Sequence, residues 1–598
     1  MVFQDFDHLS ERRRAERQQK MRKRIILGVI SSLAIAGVIA GAVIGFVSYY
    51  GHGGAASASS KGSSPSASGA DGVPQLSHSE KAVKMMCQST DFQDTCKSTL
   101  EKAIKKDPSK AQPKDLVKVA VEAAREEIES AFEKLKSFKF ESDREKDAFE
   151  DCKILVKYAL DELELSIDGV SDISKLSKKT HNVNNWLSAV MSYRETCVDG
   201  FPDGKTKDDV QKTLQIAKEL TSNSLAIISE ISSFLSTFQI PNVAPARHLL
   251  EDRSSLDDES IPAWINGEDR RILRAKETLK PKPHVTVAKD GSGQFKTIND
   301  AVAAIPEKHD GRYIIYVKAG IYDETVLLTK KMTNILIYGD GSQKTIVTGR
   351  KNNVEGVTTF KSATFGIDGN DFMAMAMGFR NTAGPEKGQA VALRATSDRA
   401  VFLNCRFEGY QDTLYAHAHR QFYRGCVIAG TIDFIFGDAT AIFQNCLIVV
   451  RRPRDGQGNA VTAQGKTGRH ETTGFVLQNC HIIPDKKLVP VKNVINSYLG
   501  RPWKEFSTTI VMESNIEDFI HPDGWMAWFG TYALDTLYYA EYNNKGPGAK
   551  LDKRVDWKGY KKGFNRQHAI QFTVGPFLES NETWVKETGA TVHYGLFE

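Results

Sequence analysis

Apolar and polar positions alternate differently in successive stretches of this chain, and each change of pattern marks a change of element. The first 24 residues are polar and end in the basic run ERRRAERQQKMRKR, after which residues 25–47 carry no charge. At about 1.5 Å per residue that run matches the roughly 30 Å of a bilayer's hydrocarbon. The positive flank precedes it, which keeps the N-terminus cytoplasmic and sends the remainder across the membrane. The run exceeds the apolar core of a cleavable signal peptide. Residues 1–24 are therefore expected as a cytoplasmic tail and 25–50 as an uncleaved signal anchor. Residues 51–75, rich in Ser, Gly and Ala, read as a flexible linker.

From 76 to 239 the period is helical. Val117, Ala120, Val121, Ala124, Ile128, Ala131, Phe132 and Leu135 recur at three and four residues and form one apolar stripe. Phe149, Cys152, Val156, Ala159, Leu163 and Ile167 form a second. Further helices are expected over 181–197 and 208–235. Four amphipathic helices with short connections are most economically an antiparallel four-helix bundle. Cys87 and Cys96 bracket a short loop that a Cys87–Cys96 bridge would staple, and a Cys152–Cys197 bridge would tie two of the helices. Residues 240–282 form a charged linker holding RHLL (247–250) and the run Arg270, Arg271, Ile272 and Leu273. Basic doublets in an exposed linker invite a processing protease.

Beyond 283 the helical period disappears. Short runs such as HVTVA, YIIYVKAG and ILIYG follow, separated by Gly, Asn and Asp turns. Four runs share a phrase, NCRF, GCVI, NCLI and NCHI, whose cysteines at 405, 426, 446 and 480 step by 21, 20 and 34 residues. A step near 20 in β-type sequence signals stacked coils, with an inserted loop explaining the long one. Residues 283–598 are therefore expected as a right-handed parallel β-helix. A sandwich of hairpins would not enforce a constant step.

The 598 residues make several domains the expectation, and a net charge of +5 is too weak to argue for a nucleic-acid partner. Translocation would place all eight cysteines in an oxidising compartment, where the NET tripeptide makes Asn581 a glycosylation acceptor.

The repeat exposes candidate chemistry. Asp412 and Asp433 lie 21 residues apart, and Gln389 and Gln411 lie 22 apart, so each pair falls about one coil apart. Neighbouring strands lie about 4.8 Å apart, which would bring the two carboxyls to roughly 5 Å. Like charges at that separation interact by about 3 kcal/mol at an effective dielectric of 20, so one carboxyl stays protonated while the other ionises. Arg501, in LGRPWKEFS, has the fixed fork that holds a carboxylate in two hydrogen bonds. Glutamine amides donate to a developing oxyanion. This set describes acyl transfer through a carboxylate nucleophile.

The runs GYQDTLYAHAHRQFYRGCVIAGTIDFIFGDA and YLGRPWKEFS, with GIYDETV, GFRNTAG, QAVAL and GWMAW in order, resemble the plant pectin methylesterases over 282–598. The upstream CQSTDFQDTC resembles the inhibitor-like pro-region of longer family members, and RRIL and RHLL resemble their processing sites. The resemblance implies a β-helix that hydrolyses methyl esters of homogalacturonan to carboxylates and methanol, with no cofactor and no metal. It implies Asp433 as nucleophile, Asp412 as general acid then base, Gln389 and Gln411 as oxyanion donors, and Arg501 orienting Asp433. Tyr415, Phe436, Trp503 and Trp528 would join Arg501 in lining the sugar cleft. It further implies a membrane-anchored precursor in the secretory pathway, a subtilisin-like processing protease, inhibitor proteins as partners, and a mature enzyme in the cell wall. Gly378 stands where some relatives carry a cysteine, which leaves Cys405 to pair with Cys426 and Cys446 with Cys480.

Rival readings remain open at this point. A pectin lyase would need clustered carboxylates for calcium, a glycosidase could use two aspartates, and a serine esterase would need a G-x-S-x-G elbow, which is lacking. A protein acting chiefly as an inhibitor through its helical region is the alternative of a different class. His417 and His419 form an H-x-H without an evident third ligand, the glycine turn at Asp290 is a weak phosphate signal, and Lys330 and Lys331 read as a solvated edge.

Overall fold

Where three-to-four-residue stripes run, the chain is helical, and where the twenty-residue step begins it coils. The computed structural model describes residues 78–171, 173–230, 281–578, 584–588, 590 and 592–597. The expected anchor, the Ser/Gly linker, the processing linker with Arg270 to Leu273, and Asn581 all lie outside the described residues. Among the described residues no helix is long and apolar enough to cross a membrane.

Helices α1 (His78–Gln88), α2 (Gln93–Lys106), α3 (Pro113–Lys136), α4 (Asp143–Ser171), α5 (Ile173–Gly200), α6 (Lys205–Thr213) and α7 (Gln215–Ser229) make the helical region. The stripe on α3 is the buried face: Val117, Val121, Ala124, Ala131 and Leu135 are fully shielded. Helix α3 packs on α4 and α7, and α5 packs on the same two. The single helix expected over 208–235 is instead two, broken at Leu214. Disulfides join α1 to α2 through Cys87–Cys96, with Cα atoms 5.6 Å apart, and α4 to α5 through Cys152–Cys197, at 4.6 Å.

From residue 281 the chain winds through three parallel sheets of ten, eight and seven strands among the described residues, one strand of each per coil. This is a parallel β-helix. The seven-stranded sheet holds β1 (Val326–Leu328), β2 (Phe365–Ile367), β3 (Leu393–Ala395), β4 (Leu414–Ala416), β5 (Ile435–Gly437), β6 (Asn459–Gln464) and β7 (Ser497–Gly500) in sequence order. Like residues stack from coil to coil inside: the rings of Phe402, Tyr423 and Phe443 lie 4.7 and 4.6 Å apart. Helices and coils belong to one compact unit, Leu76–Glu598.

The recurring phrase has a backbone cause. Asn404, Asn445 and Asn479 sit at positive φ (53°, 55° and 52°) in the corner between two sheets, a left-handed turn that asparagine tolerates. Gly425 replaces asparagine once, at φ 60°, and a Cβ there would meet Asn404 Oδ1 at 2.5 Å. The next residue turns inward and is the cysteine. The long step is also resolved: register shifts by 20 residues at Gly430↔Val450, by 27 at Ile435↔Thr462 and by 34 at Thr440↔Gly474. The extra length therefore splits evenly between the turns before and after β6.

The same register corrects the expected Cys405–Cys426 and Cys446–Cys480 bridges. All four are buried free thiols. Each precedes a register-paired residue, Arg406↔Val427, Val427↔Leu447 and Leu447↔His481, so they form one ladder. In-register parallel neighbours point the same way with Cβ atoms about 4.8 Å apart, whereas a disulfide needs about 3.8 Å. Each sulfur instead faces backbone carbonyls, as Cys405 does Leu403 O at 3.4 Å and Cys426 does Phe402 O at 3.4 Å.

Candidate active site

Strands β4 and β5 pair in parallel, Leu414↔Ile435 and Tyr415↔Phe436. Carrying that register back two residues sets Asp412 beside Asp433. Both hold a left-handed backbone, φ 59° and 53°, and the Asp412 N–H donates to Ile432 O at 3.0 Å. The carboxyls thus occupy equivalent corners of adjacent coils, 7% and 5% exposed. Burial first, and the charge of Asp433 second, push Asp412 well above the usual carboxylate range. Burial also pulls Asp433 upward, but hydrogen bonds from Arg501 oppose it. Asp433 is therefore the member that ionises first, and Asp412 keeps the proton.

Arg501 follows β7 directly. Its Nε donates to Asp433 Oδ1 at 2.7 Å and its Nη2 to Oδ2 at 2.6 Å, while the guanidinium lies 4.2 Å over the Trp528 ring. The approach of β7 to β6 requires Gly500, because a Cβ there would meet Thr462 Oγ1 at 2.1 Å. The two glutamines are half-buried and fixed through their backbones: Gln389 O accepts from Asn353 N at 2.9 Å, and Gln411 O from Ala390 N at 3.2 Å. Around them Tyr415 stacks on Phe436 at 4.3 Å, and Phe436 meets Trp503 edge-on at 6.0 Å.

A family model described as Pectinesterase matches residues 284–581, and one described as Plant invertase/pectin methylesterase inhibitor matches 81–227. Putative pectinesterase/pectinesterase inhibitor 45 of Arabidopsis thaliana is 48% identical, with the whole of both chains aligned. The chain belongs to the pectinesterase family. Pectinesterase 1 of Citrus sinensis is 40% identical over 86% of this chain and 88% of its own. Among solved structures, the pectin methylesterase from carrot superposes with a TM-score of 0.53 at 49% identity, over 54% of this chain and all of that one.

In this pectinesterase the helical region sits on the same sheet as the aspartates. Tyr415 and Phe436 share one apolar cluster with the helices, and Trp503 and Trp528 pack against it. From α5, Thr196 Oγ1 contacts Tyr415 OH at 3.1 Å and His417 Nε2 at 2.8 Å, and Tyr193 OH contacts His419 Nε2 at 2.9 Å. From α4, Tyr158 OH donates to Asp368 at 2.8 Å. Lys504 Nζ reaches Asp199 at 2.7 Å and Glu195 at 3.2 Å. His417 and His419 are thus seats for the helices, and no group of three or more metal-ligating side chains occurs among the described residues. Burial, then the charges of Arg394 and His419, push His417 well below its usual range, so it docks neutral.

Lys330 is not a solvated edge. Its Nζ lies 2.8 Å from the buried carboxylate of Glu162 on α4, while Lys331 is exposed. Sequence reasoning missed Tyr158, Glu162, Tyr193, Thr196 and Lys504. The four helical residues carry no motif, Lys504 stands in LGRPWKEFS beside the residues read from it, and each acts on a partner more than 100 residues away.

Proposed function

We propose that this pectin methylesterase works through Asp433 as nucleophile. The observation that carries the reading is the two-pronged grip of Arg501 on Asp433 beside a protonated register neighbour, Asp412. Asp433 attacks the methyl-ester carbonyl of homogalacturonan, and the amides of Gln389 and Gln411 donate to the tetrahedral oxyanion. Asp412 gives its proton to departing methanol, then takes one from the water that opens the acyl-enzyme. Arg501 keeps Asp433 ionised and aimed, and Tyr415, Phe436, Trp503 and Trp528 offer ring faces to the sugars.

The helical region, read as an antiparallel four-helix bundle on a right-handed coil, restrains the enzyme until the linker is cut. The same reading takes residues 25–50 as a signal anchor, places cleavage by a subtilisin-like protease after Leu273 or Leu250, and sends the mature enzyme to the cell wall. Soluble inhibitor proteins are further partners under this reading.

The test is methanol release from methyl-esterified homogalacturonan by the full-length chain, assayed intact and after linker cleavage. Wild type is expected to release methanol, and Asp433→Asn to lose at least about 10³-fold with folding retained. Reducing ends or an ultraviolet-absorbing unsaturated product without methanol would favour a glycosidase or lyase instead.

A further inference from the structure

The two aspartates ride on two turns, and one residue from a third turn holds both, one through its backbone and the other through its side chain. Gly409 opens the run to Asp412, and Gly430 opens the run to Asp433. Arg451 follows the strand Leu447–Val450, one coil beyond Gly430 and two beyond Gly409. Its backbone N–H donates to Gly430 O at 2.7 Å. Its Nη1 donates to Gly409 O at 2.7 Å and its Nη2 to Tyr410 OH at 2.9 Å, with the guanidinium 3.9 Å from the centre of the Tyr410 ring. Asp485 Oδ2 stands 4.0 Å behind its Nε. The grip passes inward, because Tyr410 O accepts from Thr431 N at 3.0 Å and from Thr413 Oγ1 at 3.1 Å.

Thr413 Oγ1 also bridges these turns, donating to Tyr410 O and to Ala429 O at 3.1 Å each, and Arg451 adds a grip on both from a third turn. The separation of Asp412 and Asp433 is set by the ladder bonds between their turns together with the outer grip of Arg451 on Gly409 and Tyr410. We propose that Arg451 is a positioning residue of the esterase, clamping the Asp412 turn against the Asp433 turn so that the carboxyls share one proton. The inference rests on the catalytic reading of those aspartates. Arg451 touches neither carboxyl and acts through backbone and ring.

Spacing is the quantity it controls. Coulomb repulsion falls with distance, so a looser turn lets Asp412 ionise more readily. A displacement of about 1 Å at a reacting group is worth on the order of 10²-fold in rate.

The experiment compares full-length wild type, Arg451→Met, Arg451→Lys and Tyr410→Phe for methanol release across pH, before and after linker cleavage, with Tm measured alongside. Arg451→Met is expected to lower kcat by about 10- to 100-fold with KM within about twofold, and to move the alkaline limb of the profile to lower pH. Arg451→Lys, which keeps the charge and one donor, should recover part of the rate. Tyr410→Phe, which removes only the acceptor hydroxyl, should move the limb in the same direction by less, and it serves as the test if Arg451→Met fails to fold. An unmoved limb with unchanged kcat, whatever the fall in Tm, would reduce Arg451 to a structural tie and overturn the proposal. Failure of the wild type to release methanol, or full activity of Asp433→Asn, would overturn the catalytic reading itself and the proposal with it.

Discussion

Thr196 and His417 meet across the seam between the helices and the coil, Oγ1 to Nε2 at 2.8 Å, and the same hydroxyl touches the tyrosine that stacks in the aromatic wall. Thr196 is adjacent to Cys197, whose bridge to Cys152 fixes α5 against α4. The cover and the staple are therefore one unit.

The charged part of that seam gives the first prediction. Lys504 is held by Glu195 and Asp199 in a buried cluster, where removing one partner typically costs 3–5 kcal/mol. The double change Glu195→Gln with Asp199→Asn is expected to raise methanol release by the intact chain at least about tenfold, leaving the linker-cut form within about twofold of wild type. Equal rates before and after the change, in both forms, would mean that the helices do not restrain the enzyme.

The pH dependence follows from the unequal pair. Under the proposed mechanism, turnover needs Asp433 ionised and Asp412 protonated. The rate should fall as pH drops through the value of Asp433 and fall again as pH climbs through the raised value of Asp412, giving a bell. Asp412→Asn should cut the rate by about 10² to 10⁴ and remove the alkaline limb from what remains. A limb that persists in this variant belongs to another group.

Stability has its own sign. Asp412 is raised by burial first and by Asp433 second, so it binds its proton more tightly when folded. Its favourable contribution is fully present below its unfolded value near 3.9 and is lost as pH rises through the folded value. Asp412→Asn should therefore match wild type in Tm near pH 4 and exceed it near pH 7, by thermal melts in matched buffers. A variant less stable at both would contradict the assignment.

Arg501→Lys keeps the charge and loses the fork that engages both oxygens of Asp433. A loss of about 10- to 100-fold in kcat is expected, with the acid limb moving to higher pH as Asp433 becomes harder to ionise. An unchanged profile would show that charge alone suffices.

Thiol state is a direct check on the coil. Alkylation of the unfolded, unreduced chain is expected to label four cysteines, at 405, 426, 446 and 480, and alkylation after reduction all eight. Intact-mass measurement distinguishes these outcomes, and fewer than four labels would mean that the ladder closes a bridge.

How much of this was written in the sequence depends on whether a feature is local or docked. The coil step was legible because one residue in each corner must hold a left-handed turn and the next must face inward, as Asn445 and Cys446 do. The step in turn located Asp412 against Asp433, and the fork of Arg501 marked it as the partner of the ionised one. The thiols misled because sequence shows that two cysteines stack but not that stacking holds them too far apart to join. The seats at His417, His419 and Lys330 were hidden for another reason: their partners are supplied by helices whose approach no local pattern encodes. Arg451 escaped notice because it stands outside every quoted run and reaches GYQDTLY only through a backbone carbonyl and a tyrosine hydroxyl, a contact the fold makes and no spacing shows.

The lengthened coil around β6 bears on how such a scaffold acquires control. Its second insertion, between β6 and the strand Gly474–Gln478, places Thr472 N 3.1 Å from Ser188 Oγ and Arg469 2.8 Å from Asp91 of the helical region. Pairing resumes undisturbed at Thr440↔Gly474. A coil can therefore lengthen at a corner and grow a handle for the helices while the floors above and below keep their pitch, so shortening this corner should loosen their hold and spare the stacked aspartates.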